Sequence, residues 1–343
     1  MSHLSRPVAV VIGALALLAC RPPAAHAGSG GCGMAGCPLE ARGAGTAGSR
    51  FSFDLAYQSV DQNQLWDGSG ATAVGATAAH TVDLETRTRA WVGVSRARIT
   101  SWLGLSASLA YFDRTHRQLY QHHPGFFVPY EWSYSGFGDL MLTGAVLPFR
   151  SLSSRIGTIS LLAGLKLPTG DPHVQPVVGV GPPPAVSLEP SPAVRLGTGS
   201  VDALIGAQVA HPFGAPTIRG DHGKIPLTAS ASYVYAGKGT DGYRVGREAQ
   251  VSLDTGYPVL QSMRLVGQAS AIFEGRDDVG TTAVAPHHSG GSALLVTPGI
   301  RIQISPALAT YAYYQDRVWG RTNGPEVVAP AQWLFGTSFS FGL

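Results

Sequence analysis

Charge is what this chain lacks. Asp, Glu, Lys and Arg make up only 13% of its 343 residues, against about 25% in an ordinary soluble domain. Apolar content is 44%, which is unexceptional, so grease has not replaced the missing charge. The net charge is +3 with no basic run, which excludes a nucleic-acid surface. Cysteine is scarce as well, with Cys20, Cys32 and Cys37 the only three. No Cys-x-x-Cys-His occurs, which excludes covalent haem, and no cofactor is expected. The Pro/Gly-rich stretch near residues 177–184 lacks the Lys-Ser/Thr of a phosphate loop. After residue 20 no apolar run approaches the roughly 20 residues of a membrane-spanning helix.

What is present begins with an export signal. Arg6 precedes "VAVVIGALALLAC" (8–20), a run suited to a signal core and too short to span. "AHA" (25–27) is a small-x-small cleavage site, so residues 1–27 read as a signal peptide. "LLAC" (17–20) also has the form of a lipobox, and lipidation of Cys20 is the alternative. Residues 28–50 are rich in Gly, Ala and Ser without a period and read as a flexible periplasmic tail. Within that tail, Cys32 and Cys37 flank Met34. A disulfide is the first reading in an oxidising compartment; a soft-metal site shared with Met34 is the second.

From residue 51 a period of two takes over. Each such segment is a strand with two unlike faces. "FSFDLAYQSV" (51–60) sets Phe51, Phe53, Leu55 and Tyr57 against Asp54 and Gln58. "TVDLETRTRAWVGVS" (81–95) sets Val82, Leu84, Ala90, Val92 and Val94 against Asp83, Glu85, Arg87 and Arg89. Further alternating segments lie at 102–112, 138–149, 157–167, 197–211, 226–235, 243–254, 263–274, 293–304, 308–315 and 333–343. Each is near the length of a tilted membrane strand. Long connections (61–80, 113–136, 168–196, 237–242, 275–290, 318–330) alternate with short ones. The expectation is therefore an all-β chain. Residues 51–343 form an antiparallel transmembrane β-barrel of about 12 strands in a Gram-negative outer membrane, with both termini periplasmic. The terminal "WLFGTSFSFGL" would close the barrel and be read by the outer-membrane assembly machinery, although the last residue is Leu343 where Phe is usual.

Trp91, Trp102, Tyr111, Tyr233, Tyr235, Tyr257, Tyr311, Tyr313 and Trp333 sit where aromatic girdles meet the lipid interface. The faces expected to look inward carry Asp54, Asp83, Glu85, Asp139, Asp202, Glu248 and Asp254. They also carry Arg87, Arg89, Lys166, Arg244, Arg264 and Arg301. These charges either stiffen the lumen as ion pairs or select a polar solute. Arg247 falls on the lipid side of its strand, at headgroup level. His122-His123 and His287-His288 fall on expected outer loops and read as solvated.

"GLKLPTGDP" (164–172) followed by "LGTGSVD" (196–202) resembles a family of outer-membrane transporters labelled "MetA pathway of phenol degradation". The resemblance covers roughly residues 130–343 and implies a barrel with a transport role for small solutes, aromatic or hydrophobic compounds among them. Two other readings stand beside it. One is a structural barrel or lipid-anchored envelope protein that transports nothing. The other is an outer-membrane lipid hydrolase, which needs Ser and His adjacent on the lipid face near the outer leaflet. The one histidine on an expected strand, His211, falls at the periplasmic end instead. The loop 168–196 either folds outward as a solvated cover, the reading preferred from sequence, or folds inward and narrows the bore.

Overall fold

The computed structural model describes residues 49–74, 81–123, 126–148, 157–175, 177–178, 187–216, 222–278 and 289–341. The signal region, Cys32, Cys37, Met34 and His287-His288 lie outside them, as does nearly all of the tail. Thirteen strands form one antiparallel sheet. They are β1 (Phe51–Gln62), β2 (Thr81–Arg98), β3 (Leu103–His123), β4a (Phe126–Phe137), β4b (Leu140–Val146), β5 (Thr158–Leu167) and β6 (Asp202–Pro216). They continue with β7 (His222–Tyr235), β8 (Glu248–Leu260), β9 (Met263–Glu274), β10 (Gly291–Ser305), β11 (Leu308–Thr322) and β12 (Ala331–Phe341). β4a and β4b stand end to end beside β3 and act as one stave, which leaves twelve. β12 pairs with β11 on one side and with β1 on the other, Phe51 opposite Phe341. The sheet closes on itself, and closure leaves no edge to satisfy within a bilayer.

Alternation sorts the side chains as expected on all but two staves, β2 and β11. Phe53, Leu55, Leu105, Leu165, Ile205, Leu253, Val296 and Phe335 are exposed on the outer surface. Asp54, Gln58, Ser252, Ser270, Thr297 and Gln315 are buried on the inner one. On β2 the faces are reversed. Cα pairing puts Trp91 opposite the outward Tyr57, and Val94 opposite the inward Asp54. Ala90, Val92 and Val94 are buried inside, while Trp91 is 52% exposed outside. Arg87 and Arg89 therefore leave the lumen, contrary to the expectation from sequence. They lie outside with Glu85 and Asp61, Arg87 2.7 Å from Glu85 and Arg89 2.6 Å from Asp61. The physical reason is that β2 carries apolar residues on its inner face, where another part of the chain covers them.

Two expected loops are strands. β3 runs for 21 residues, about twice the 9–11 that a tilted bilayer strand needs. With β4a it forms a tall hairpin through the segment 113–136. β11 likewise extends to Thr322. Tyr311 and Tyr313 are not girdle residues. Both are buried inside, each ring lying over a glycine, Gly336 and Gly299 respectively, where a Cβ would collide. This is the glycine–aromatic pairing that bends and locks curved sheets. The aromatics Trp91, Trp102, Tyr111, Tyr233, Tyr235 and Trp333 do lie exposed outside, and Arg247 sits 4.5 Å over the Tyr235 ring.

The outer face makes a direct prediction. Leu253 is exposed near the middle of β8, whereas Ser160 faces a partly open part of the lumen. Leu253→Arg should cost about 2–4 kcal/mol of folding stability in lipid, and Ser160→Arg much less. Reversible denaturant unfolding in vesicles measures both; equal costs would contradict the face assignment.

Candidate functional site in the barrel mouth

The motif KLPTG…LGTGSVD builds the rim at the end where the long loops emerge. Lys166 is the penultimate residue of β5 and points inward. Its ammonium lies 2.7 Å from Asp202 and 3.1 Å from Asp139, and it donates to the Thr198 hydroxyl at 2.5 Å. Each carboxylate then holds backbone. Asp139 accepts the N–H of Gly170 at 3.0 Å and of Thr198 at 3.3 Å. Asp202 accepts the Ser200 hydroxyl at 2.7 Å and the N–H of Gly237 at 2.9 Å. Pro168 ends the ladder because it has no N–H to give. Three backbones then stack without side chains between them. A Cβ on Gly170 would sit 2.9 Å from the carbonyl carbon of Gly138, and one on Gly197 would sit 2.6 Å from that of Gly170.

That staple turns the connection from β5 to β6 into the barrel. The preference for an outward fold, taken from sequence, is corrected. Val194 is 2% exposed and Arg195 9%. Arg114, buried on β3, donates to the carbonyls of Val194 and Arg195 and to Thr88, while the Tyr134 hydroxyl also donates to the Val194 carbonyl. Arg195 braces the segment from within, through the carbonyls of Pro190 and Pro172 and the Glu189 carboxylate, all within 3.0 Å. Charged donors on carbonyls make strong hydrogen bonds when buried, so the segment is fixed at several points.

Beneath it runs an apolar stripe. Val128, Tyr130 and Trp132 pack with Val174, and Tyr120, Tyr134 and Leu188 lie against that group. Lower down, Ala90, Val92, Val94 and Phe112 form a second group covered by Leu196. Tyr130 and Trp132 are stacked at 5.8 Å, and His116 stacks on Trp132 at 5.6 Å. The opposite wall is filled differently. Gln58, Gln332, Gln315 and Thr297 hydrogen-bond in sequence across β1, β12, β11 and β10. Tyr311, Tyr313, Leu334 and Ala56 pack beside them. Between these walls, Ser106, Ser108, Thr143, Ser160, Gly206 and Ser230 remain partly accessible.

Of the residues expected to line the lumen, Lys166, Asp139 and Asp202 come together. Asp54 is buried against Arg96, a partner that sequence reasoning passed over. Arg264 and Arg301 face each other across β9 and β10 near the short-turn end. Glu248 begins β8 opposite Glu274. Arg244 precedes β8 rather than lying on it, and pairs with Asp278 in the loop. His211 lies at the short-turn end, its ring 4.7 Å from Phe213. Arg114, Arg195 and His116 were also missed. Nothing in the sequence marks Arg195, because a charged residue in a loop is ordinarily solvated.

Replacing Lys166 with Met leaves Asp139 and Asp202 facing each other uncompensated. The loss should be about 3–5 kcal/mol, and the loop should become open to protease. The triple variant Lys166→Met, Asp139→Asn, Asp202→Asn should recover a large part of it. Denaturant unfolding with limited proteolysis checks both.

No family model and no curated protein matches the chain. Among solved structures, an outer membrane channel from Pseudomonas putida F1 is similar at a TM-score of 0.54. The two are 13% identical, and the match covers 87% of this chain and 97% of that one. The transport unit of the autotransporter AIDA-I from Escherichia coli matches at 0.49 with 11% identity, covering 87% and 93%. The P. putida toluene transporter TodX matches at 0.47 with 11% identity, covering 87% and 91%. The likeness to the first establishes the architecture: this chain has the fold of an outer-membrane β-barrel.

Proposed function

We propose that the protein is an outer-membrane channel for small apolar or aromatic solutes, with the long-loop end outside the cell and both termini in the periplasm. The observation that carries this reading is the apolar stripe from Tyr120, Tyr130 and Trp132 down to Phe112, Val92 and Val94. A barrel interior is ordinarily polar. A stripe of rings and branched aliphatics inside one has no reason to exist unless something apolar meets it. In the closed form that something is Val174, Leu188 and Leu196 of the chain itself. A solute of the same chemistry can take their place at little cost, because one apolar contact is exchanged for another. The small, partly accessible side chains of the adjoining wall leave room for its passage.

A structural barrel is the second reading. It is favoured by the burial of the inner side chains on β8 to β12, and it requires that no solute crosses.

Excising residues 174–194 with a short Gly linker should clearly raise single-channel conductance in planar bilayers. Trp132→Ala should lower the uptake of a small aromatic probe roughly threefold to tenfold, the worth of one aromatic contact, with ionic conductance nearly unchanged. Unchanged conductance after excision, in a correctly folded barrel, would support the structural reading instead.

A further inference from the structure

The other half of the mouth is covered by a flap made from two different loops. Glu326–Val328 pairs with Gln64–Asp67, which pairs in turn with Gly70–Ala71. The turn docks on the end of β11, where Thr322 donates its N–H to the Gly68 carbonyl at 2.8 Å. The strand Glu326–Val328 is buried along its whole length, although its first residue is a carboxylate. Both Glu326 oxygens are buried and have no hydrogen-bond partner among the described residues.

The groups that act on Glu326 come from opposite sides of the barrel. Glu274 ends β9 and Asp277 follows it, Arg317 stands on β11, and Asp83 stands on β2. Four staves, β1, β12, β11 and β10, separate β2 from β9, so the charges around Glu326 come from well-separated staves. The surrounding charge does not balance. Among the described residues, the charged groups that act on Glu326 are three carboxylates, Glu274, Asp277 and Asp83, and one guanidinium, that of Arg317. Its Nε is spent on the Ala329 carbonyl at 3.3 Å, and its Nη1 has no partner among the described residues. Arg276 is turned to Asn323 at 2.8 Å. Asp83 is engaged by Gln118 at 2.8 Å and lies 3.5 Å from His116. Asp277 is already held by Tyr243 and by the N–H of Gly246. Glu326 is left buried with no hydrogen-bond partner among the described residues, and a buried carboxyl in that position stays neutral.

We propose that the flap is a proton-operated lid, closed over the mouth while Glu326 carries a proton and released when Glu326 ionises. Burial and the neighbouring Glu274 and Asp277 both push the Glu326 carboxyl well above its usual range, and burial pushes Asp277 up as well. The sign follows from proton binding. The closed lid holds a proton that the open, hydrated carboxyl gives up near its ordinary value. Closure is therefore favoured in acid. It weakens as the pH rises from the ordinary carboxylate value to the raised one, by about tenfold in the closed-to-open ratio per pH unit. Above the raised value it weakens no further.

Hydrogen exchange on the full chain in lipid vesicles tests this, read at residues 64–71 and 326–328 and corrected for the intrinsic pH dependence of exchange. The proposal itself rests on the channel reading only for its consequence, since exchange needs no transport. A barrel that conducts nothing still reports the lid. Between pH 5 and pH 8 the wild-type flap should lose about tenfold or more of its protection, while Glu326→Gln should stay protected throughout. A wild-type flap indifferent to pH would overturn the proposal. So would a Glu326→Gln flap with the wild-type pH response.

Discussion

One ammonium between two carboxylates decides what the inside of this barrel looks like. Lys166 lies within 3.1 Å of both Asp139 and Asp202, and those two acids hold the backbone on either side of the loop. A long Pro-rich connection left to itself would extend into water. Here its two ends leave the wall side by side, with glycine backbones stacked where side chains would collide, and Val194 and Arg195 are buried inside. A lysine joined to two aspartates leaves a net negative charge. The hydroxyls and N–H groups of Thr198, Ser200, Gly170 and Gly237 absorb that excess, as a buried network must if it is not to weaken the fold.

The packing of β2 and of the tall hairpin follows from that inward turn. The inner face of β2 is apolar because Leu196 lies on it, and this is why Arg87 and Arg89 are found outside. The tall hairpin of β3 and β4a carries Tyr120, Tyr130 and Trp132 inward because Val174 and Leu188 cover them. Two segments lie in the mouth, the folded-in loop and the flap at Glu326. They are held by different physics. The first is fixed by ion pairs and charged hydrogen bonds to carbonyls, the second by burial of a group that tolerates burial only when neutral.

Much of this was legible in the sequence. The barrel, the stave number and most inner and outer faces came from a period of two, since lipid outside and a narrow lumen inside impose it on every strand. Reading failed where a third environment intruded. On β2 the apolar Ala90, Val92 and Val94 read as lipid-facing, although a buried loop is equally apolar and is what they meet. The segment 113–136 was read as a loop because its polar residues, such as Arg114 and His116, have partners visible only in three dimensions. The staple was half legible: Lys166, Asp139 and Asp202 were all placed in the lumen, but nothing in their spacing says that they meet. Glu326 gave no sign at all, since an acid before two valines looks like any exposed turn.

The central claim is that the connection after β5 lies inside the barrel on the apolar stripe. Cross-linking reads it directly. Cysteines placed at Leu188 and Val128, in a chain with Cys32 and Cys37 replaced by Ser, should be joined in high yield by a short bismaleimide in intact membranes, and the joined protein should remain closed to solute. Cysteines that react separately with a bulky water-soluble maleimide, and are not joined, would place the loop outside and contradict the account.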